Sequence, residues 1–393
     1  MTQKIILPGA TVGILGGGQL GRMVAIEAKK MGYDVICLDP TPNSPCGQVA
    51  DDQIVAPFDD MDAALRLGER SDVIIYEFEN IDVRLVEALE KKYYLPQGSR
   101  ILSIAQDRIK EKTAMEENGF PVAPFRIVRN YQDLEAAIRE LGYPCVLKTA
   151  REGYDGKGQL VLNGSQDLSA AAEMLRFYDA SDAKASRTDA SSSVGMEFVL
   201  EKMIAFTHEA SAIVARSSRG EMRVFPIPEN IHRDNILFIS IVPARIGQEM
   251  EEEAIRIAGE MADAFDIVGL LAIEFFVTPE GLLVNEIAPR PHNSGHYTWD
   301  ACYVSQFEQI IRAVCGLPLG STELVSPAVM VNILGADLEP VLKELPHFTD
   351  NIKLHLYGKK GGKLAPKRKM GHMTVKSSSP EDVLAWVKTI YNI

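Results

Sequence analysis

Leu270-Leu-Ala-Ile-Glu274-Phe-Phe-Val-Thr278-Pro-Glu-Gly281-Leu-Leu-Val-Asn285-Glu286-Ile287 is two apolar runs joined by a turn signal. Thr278-Pro-Glu-Gly281 supplies the turn, so an antiparallel hairpin is predicted over 270–287, folded near Glu280. Positions whose numbers sum to 560 then face each other, which sets Glu274 opposite Glu286 on one face of the sheet. Like charges opposed in a ladder are destabilising, and both acids sit among apolar neighbours. A hard divalent cation with oxygen ligands, Mg²⁺ shared with substrate phosphates (or Mn²⁺ in its place), resolves the conflict more simply than protonating one acid. The alternatives are a register slip that separates the pair, or a Lys or Arg partner.

Upstream, Cys145-Val-Leu-Lys148-Thr-Ala-Arg-Glu-Gly153-Tyr-Asp-Gly156-Lys157-Gly158-Gln159 precedes the apolar LVL and reads as strand, glycine loop, strand. With no helix behind it the loop lacks a helix dipole, but its flexible backbone and two lysines can cover the phosphates of a nucleotide. A solvated hairpin is the plainer reading. It leaves Lys148 inside an apolar strand, where an unpaired ammonium is costly.

A third glycine cluster lies near the start. TVGIL, GGGQLG, MVAIEAKKMG and DVICLDP (11–40) spell strand, turn, helix, strand, and SDVIIYEFEN (71–80) extends the parallel pattern, with Glu77, Glu79 and Asn80 at its carboxyl end. Gly16, Gly18 and Gly21 match G-x-G-x-x-G, and Asp39 closes the second strand. Either the turn binds a nucleotide or phosphosugar at the helix N-terminus, or its glycines only permit close packing. It is not a P-loop, since Arg22 and Met23 stand where Lys-Ser/Thr would follow.

Outward from these motifs, 393 residues accommodate two or three domains. We expect an α/β unit over 1–107, a larger α+β unit over 108–318 with the glycine flap at 148–159 and the hairpin at 270–287, and a small β-rich unit over 319–393 closed by the helix PEDVLAWVKTIYNI. DASDAKASRTDASSSVG (179–195), poor in bulky apolar residues, is expected to be a mobile surface loop. The formal net charge of -13 removes any general attraction to nucleic acid or anionic lipid. Basic residues cluster only at Lys359, Lys360, Lys367, Arg368 and Lys369: a solvated face, or local charge for a small phosphorylated substrate. Five scattered cysteines without C-x-x-C spacing argue against a disulfide framework or thiolate zinc site. No export signal or membrane span is read, and a reducing cytoplasm is the expected location. Polar residues inside apolar segments add Glu201, Lys202, Glu209, Glu229, Asn230 and His232 as candidates. His232 taken alone reads as a structural histidine.

A dinucleotide-type fold, a lysine-bearing glycine flap and a carboxylate pair on a late hairpin together resemble the ATP-grasp ligases. GILGGGQLGRM, YEFEN, VLKTAREGYDGKGQ, PIPENIH, NEIAPRPHNSGHYT and RKMGH, in this order, narrow the resemblance to the 5-(carboxyamino)imidazole ribonucleotide synthases, over nearly the whole chain. The resemblance implies an ATP-grasp fold with an N-terminal Rossmann-like domain and a small C-terminal β-rich domain. It also implies ATP-dependent carboxylation of 5-aminoimidazole ribonucleotide by bicarbonate, through carboxyphosphate, and a homodimer. By the same resemblance Arg108, Lys148, Gly153, Tyr154, Asp155, Gly156, Lys157, Gly158, Gln159, Glu201, Lys202, Met203, Ile204, Glu209, His232, Asn285 and Glu286 fall at ATP-site positions, and Glu274 and Glu286 hold Mg²⁺. Lys148, Lys157 and Arg290 are expected to act in catalysis, with Asp155 orienting and deprotonating the substrate amine. Gly18, Gln19, Leu20, Glu77 and Asn293 are expected on the ribonucleotide, and Arg290, Lys359 and Arg368 at its phosphate.

Two departures stand against this pattern. The 179–195 stretch is longer than the family needs. KKGGKLAPKRKMGH carries lysines where related sequences often have arginine, and lysine cannot reproduce a guanidinium fork. Of the rival readings, a nicotinamide-dependent dehydrogenase leaves the Glu274/Glu286 pair and the lysine flap unexplained. A non-catalytic metabolite-binding or scaffold protein on a ligase fold leaves the same residues idle. Another ATP-grasp purine enzyme or a biotin carboxylase-like protein differs in the acceptor that stimulates ADP formation.

Overall fold

The structure, a computed structural model, describes residues 4–151, 158–185, 197–360 and 365–391. The first unit is the expected parallel sheet. Its four strands lie in the order Asp52–Ile54, Asp34–Leu38, Thr11–Leu15, Val73–Tyr76, all parallel. The near-continuous apolar strands are buried, as a sheet covered by helices requires. Helix Gln19–Lys30 rises directly from the glycine turn, and its Met23, Val24, Ala25 and Ala28 are buried.

A four-stranded antiparallel sheet follows, ordered Phe125–Val128, Phe198–Lys202, Cys145–Thr149, Gln159–Leu162. Its last two strands flank the glycine flap, with Lys148 opposite Gln159. The third sheet has nine strands. Along its main path run Gly281–Ala288, Gly269–Thr278, His208–Arg216, Glu229–Arg233, Ile236–Val242, Ala328–Leu334, Lys369–Lys376 and Ile352–Leu356, with Met222–Val224 added beside His208–Arg216. The C-terminal strands are therefore hydrogen-bonded onto the sheet that carries the hairpin. A ring stack seals the same junction: Trp299 lies on His355 at 4.5 Å, and His372 lies 4.7 Å from both His355 and His296.

One expectation needs correction. Residues 179–185 are not loop but the last turns of helix Leu168–Ala185, since Ala-rich sequence is good helix former whether or not it offers a core face. Positions 186–195 of that stretch lie outside the described residues. All five cysteines are buried and free, and no helix among the described residues is long and apolar enough to cross a membrane.

Candidate active site

The hairpin forms, and Glu274 does face Glu286, but by a different register from the one expected. Next to the turn Thr278 pairs with Gly281 and Phe275 with Val284, one position off the predicted alignment. A bulge between Glu274 and Phe275 then absorbs one extra residue, Asn285, and restores Glu274 opposite Glu286. Without it Glu274 would oppose Asn285. The bulge sets two polar residues in succession against Glu274, then returns Ile287 to the core opposite Ile273.

Burial, and then the neighbouring Glu286, push the Glu274 carboxyl up to about 8. Arg108 touches Glu286 at a marginal 3.5 Å, and His292 Nε2 lies 3.3 Å from Glu274 Oε1. Among the described residues no three His, Cys, Asp or Glu side chains gather to hold a metal by themselves. Two carboxylates with like charge and oxygen donors suit a hard divalent cation that takes its remaining ligands from phosphate and water.

Lys148 has the partner its position demanded: its ammonium lies 3.0 Å from Glu201 Oε2. The same oxygen is 3.6 Å from Lys112, a fully buried lysine that sequence reading passed over. Desolvation alone would raise the Glu201 carboxyl, but the two lysines outweigh it and hold the group down at about 2. Burial pushes the Lys148 ammonium below its ordinary range. Lys112 also donates to the Asn285 carbonyl at 2.7 Å, while the neighbouring Glu111 accepts the Ile287 N–H at 2.7 Å. Both residues thus cover the outer edge of the hairpin from helix Arg108–Glu117. Glu111 and Lys112 share the buried face of that helix with Met115, and this interruption of an apolar stripe is the signal that would have found them.

His232 Nδ1 pairs with Glu209 Oε2 at 2.8 Å, and desolvation is outweighed by this partner so that the imidazole titrates higher than usual. Lys202 sends its ammonium away, to the Leu141 carbonyl at the end of helix Tyr131–Leu141. Met203 and Ile204 line a cavity of about 550 Å³ with Ala205, Pro121 and the hairpin's Leu283. Gly158 has φ +72°, and its carbonyl accepts from Thr149 N. Gly153, Tyr154, Asp155, Gly156 and Lys157 lie outside the described residues.

The N-terminal glycine turn has a feature that neither of its two readings included. Its N–H groups are already taken by the chain's own carboxylates: Gly17 N donates to Asp39 Oδ2 at 2.9 Å, and Gly18 N to Glu77 Oε1 at 2.8 Å. Asp39 is therefore a buried turn brace, and a Cβ at Gly16 (φ +107°) would come within 2.6 Å of Glu77 Oε1. Burial pushes the Glu77 carboxyl up to about 7. Leu20 packs against the core. Gln19 Oε1 instead receives the Lys359 ammonium, which also donates to the Lys369 carbonyl at 2.9 Å, so the C-terminal basic segment does reach the glycine turn. Burial first, then Arg368, lower the Lys359 ammonium to about 8. Arg368 itself is directed to the Lys360 carbonyl at 3.3 Å. Arg290 is gripped by Glu79 in a two-pronged ion pair, a partner the sequence reading had not given it. Asn293 is buried with neither end of its amide bonded among the described residues, as a group awaiting a ligand would be.

Models of three families match in succession: a ribonucleotide synthetase preATP-grasp domain over residues 9–106, an ATP-grasp domain over 113–307, and a phosphoribosylaminoimidazole carboxylase C-terminal domain over 328–385. The chain is 48% identical, over its whole length and 97% of the relative, to the N5-carboxyaminoimidazole ribonucleotide synthase of Bacillus subtilis. A crystal structure of the ADP complex of an N5-carboxyaminoimidazole ribonucleotide synthetase superposes with a TM-score of 0.91 at 52% identity, covering 100% of this chain and 98% of that one. The Aspergillus clavatus synthase in complex with ADP and 5-aminoimidazole ribonucleotide is 28% identical, with a TM-score of 0.85 and 98% of each chain covered.

Proposed function

The chain belongs to the N5-carboxyaminoimidazole ribonucleotide synthase family, ATP-grasp ligases of purine biosynthesis, and from that premise we propose how its residues divide the work. Its activity is the ATP-dependent carboxylation of 5-aminoimidazole ribonucleotide. We read bicarbonate as the carbon source, carboxyphosphate as the intermediate, and ADP and phosphate as the other products.

The observation that carries the reading is the bulged hairpin, which sets Glu274 and Glu286 face to face beside the Lys148–Glu201 pair. Glu274 and Glu286 would hold Mg²⁺, or Mn²⁺, which when bound supplies positive charge to the nucleotide phosphates. Lys148 and Arg108 add fixed positive charge where charge develops as a bicarbonate oxygen attacks the γ-phosphate, so their contribution is electrostatic stabilisation and positioning. Glu201 keeps Lys148 charged in its buried setting. Met203, Ile204 and the cavity they line suit the adenine end of the nucleotide, and Glu209, His232 and Asn285 are assigned to the nucleotide as well. We assign Gly153–Gln159 to the covering flap, Lys157 to the phosphates and Asp155 to the substrate amine. Gly18, Gln19, Leu20, Glu77, Asn293, Lys359 and Arg368 are assigned to the ribonucleotide, with Arg290 beside them.

The units 1–107, 108–318 and 319–393 serve in this reading as ribonucleotide, nucleotide and closing segments. A cytoplasmic homodimer is part of the proposal. The test is ADP release from Mg-ATP and bicarbonate with and without 5-aminoimidazole ribonucleotide, together with transfer of labelled bicarbonate carbon to an acid-labile product. Strong stimulation by the ribonucleotide is expected. Stimulation by another acceptor instead, with none by this one, overturns the reading.

A further inference from the structure

A line of hydrogen bonds runs through the nine-stranded sheet to His292, whose ring stands beside the hairpin carboxylate. Ser240 Oγ donates to Asn230 Oδ1 at 2.8 Å, Asn230 Nδ2 to Ser211 Oγ at 2.9 Å, and Ser211 Oγ to Ser294 Oγ at 2.7 Å. Ser294 Oγ lies 2.9 Å from His292 Nδ1, and His292 Nε2 lies 3.3 Å from Glu274 Oε1. Ser240, Ser211 and Ser294 are fully buried and Asn230 is 5% exposed, so the chain is screened from exchange with solvent. The sheet interior contains no apolar reason for four polar side chains in a row.

The direction of the chain is fixed at its far end. Besides the hydroxyl, the backbone N–H of Ser294 points at His292 Nδ1 from 3.4 Å, and a backbone N–H can only donate. Nδ1 must therefore offer its lone pair, which leaves the ring proton on Nε2. The amide of Asn230, oriented with Oδ1 toward Ser240, fits the same order from the other side: it gives a proton to Ser211, which passes its own to Ser294, which has one left for Nδ1. Ser211 and Ser294 each accept once and donate once, and Ser240 donates. The histidine backbone is clamped as well, its N–H donating to Gln306 Oε1 at 2.9 Å and its carbonyl accepting from Gln306 Nε2 at 2.8 Å.

We propose that His292 is a positioning residue, locked by the Ser240–Asn230–Ser211–Ser294 chain in the Nε2–H tautomer so that it holds one oxygen of Glu274 in place before a cation arrives. The inference rests on reading Glu274 as a metal ligand, and it extends that reading to residues whose role is to fix the ligand's orientation. Outer partners of this kind commonly change metal affinity by about 10- to 100-fold when removed.

The tautomer is tested directly on the metal-free protein with ¹⁵N-histidine NMR, the His292 signals being identified by their loss in His292→Gln. A protonated Nε2 and a bare Nδ1 are expected; the reverse pattern overturns the proposal. Mn²⁺ binding in the presence of ADP, followed by electron paramagnetic resonance, gives the second readout. Gln places its amide nitrogen near Nε2 and is expected to keep affinity within about 3-fold, whereas Asn, which reaches only the Nδ1 position, and Ser211→Ala are expected to weaken it about 10-fold. Equal affinity for the Gln and Asn variants sinks the positioning role, and thermal unfolding of each variant separates this from misfolding. Should Glu274→Gln leave Mn²⁺ binding unchanged, the metal reading itself fails, and the NMR result still decides the tautomer.

Discussion

Glu274 and Glu286 stand opposite one another across the hairpin because Asn285 is bulged out of the ladder between them. The bulge keeps two like charges together where a regular ladder would have offered Glu274 an uncharged neighbour. Such an arrangement costs stability in the free protein, a cost that the proposed cation would offset. Glu274→Gln and Glu286→Gln are therefore each expected to stabilise the metal-free protein above about pH 8, where both carboxyls are ionised, by up to about 1 kcal/mol, while lowering ribonucleotide-stimulated ADP release at least about 100-fold. Thermal unfolding without metal and a coupled ADP assay measure the two effects. Loss of both stability and activity would mark the pair as structural.

A different balance governs Glu201. Its carboxylate is shared by Lys148 and Lys112, three charges buried together, and removing one member strands the others. Glu201→Gln is expected to cost about 3–5 kcal/mol. The pH dependence has a definite sign. The folded group sits at about 2, below the ordinary carboxylate value, so its stabilisation is present above about pH 4.5 and is lost as pH falls through about 2. Urea unfolding between pH 6 and 2.5 should show this acid limb in the native sequence and a flattened one in Glu201→Gln.

The contrast between these two sites explains what could be read in the sequence. The hairpin, the flap strands and the parallel sheet announce themselves by apolar runs and turn residues, which depend on near neighbours in the chain. Glu274, Glu286 and Lys148 stood out because each is a charge inside such a run. Lys112 and Glu111 did not, and Glu79 and Asp39 showed only as acids at strand ends, because what makes all four matter is a partner far away in sequence: Glu201, Ile287, Arg290 and the Gly17 amide. The bulge was invisible for a similar reason. A one-residue irregularity leaves the apolar pattern of both strands nearly intact, so the expected pair came out right on an alignment that was wrong near the turn.

Glu111 offers a test on the basic side. Burial raises its carboxyl to about 7 despite Lys112 and Arg108. For an acid raised on folding, the favourable contribution is present below about pH 4.5 and is lost as pH rises through about 7. Gln keeps an oxygen to accept the Ile287 N–H but has no charge to desolvate. Glu111→Gln should match the native sequence near pH 4.5 and exceed it by about 1–3 kcal/mol at pH 8 in metal-free unfolding. Equal stability at both values would mean the carboxylate is well solvated or fully compensated by its neighbours.

Arg290 and Glu79 form a pair that, in the proposed reading, fixes a side chain on the ribonucleotide side. A guanidinium forked by a carboxylate is fixed in plane, with Glu79 occupying two of its donors. Arg290 Nη1 also donates to the Pro291 carbonyl at 3.0 Å, so the group is anchored from two directions. If it meets the ribonucleotide, its orientation comes from Glu79, and lysine at 290 would lose both the fork and the plane. Arg290→Lys and Glu79→Gln are expected to raise the KM for 5-aminoimidazole ribonucleotide by a similar factor, about 10-fold or more, with the KM for ATP changed less than about 2-fold. Because the two residues act as one unit, the double variant should be little worse than either single one. Additive losses in the double variant, or an equal rise in both KM values, would separate the two residues and return Arg290 to a purely structural place in the 289–293 loop.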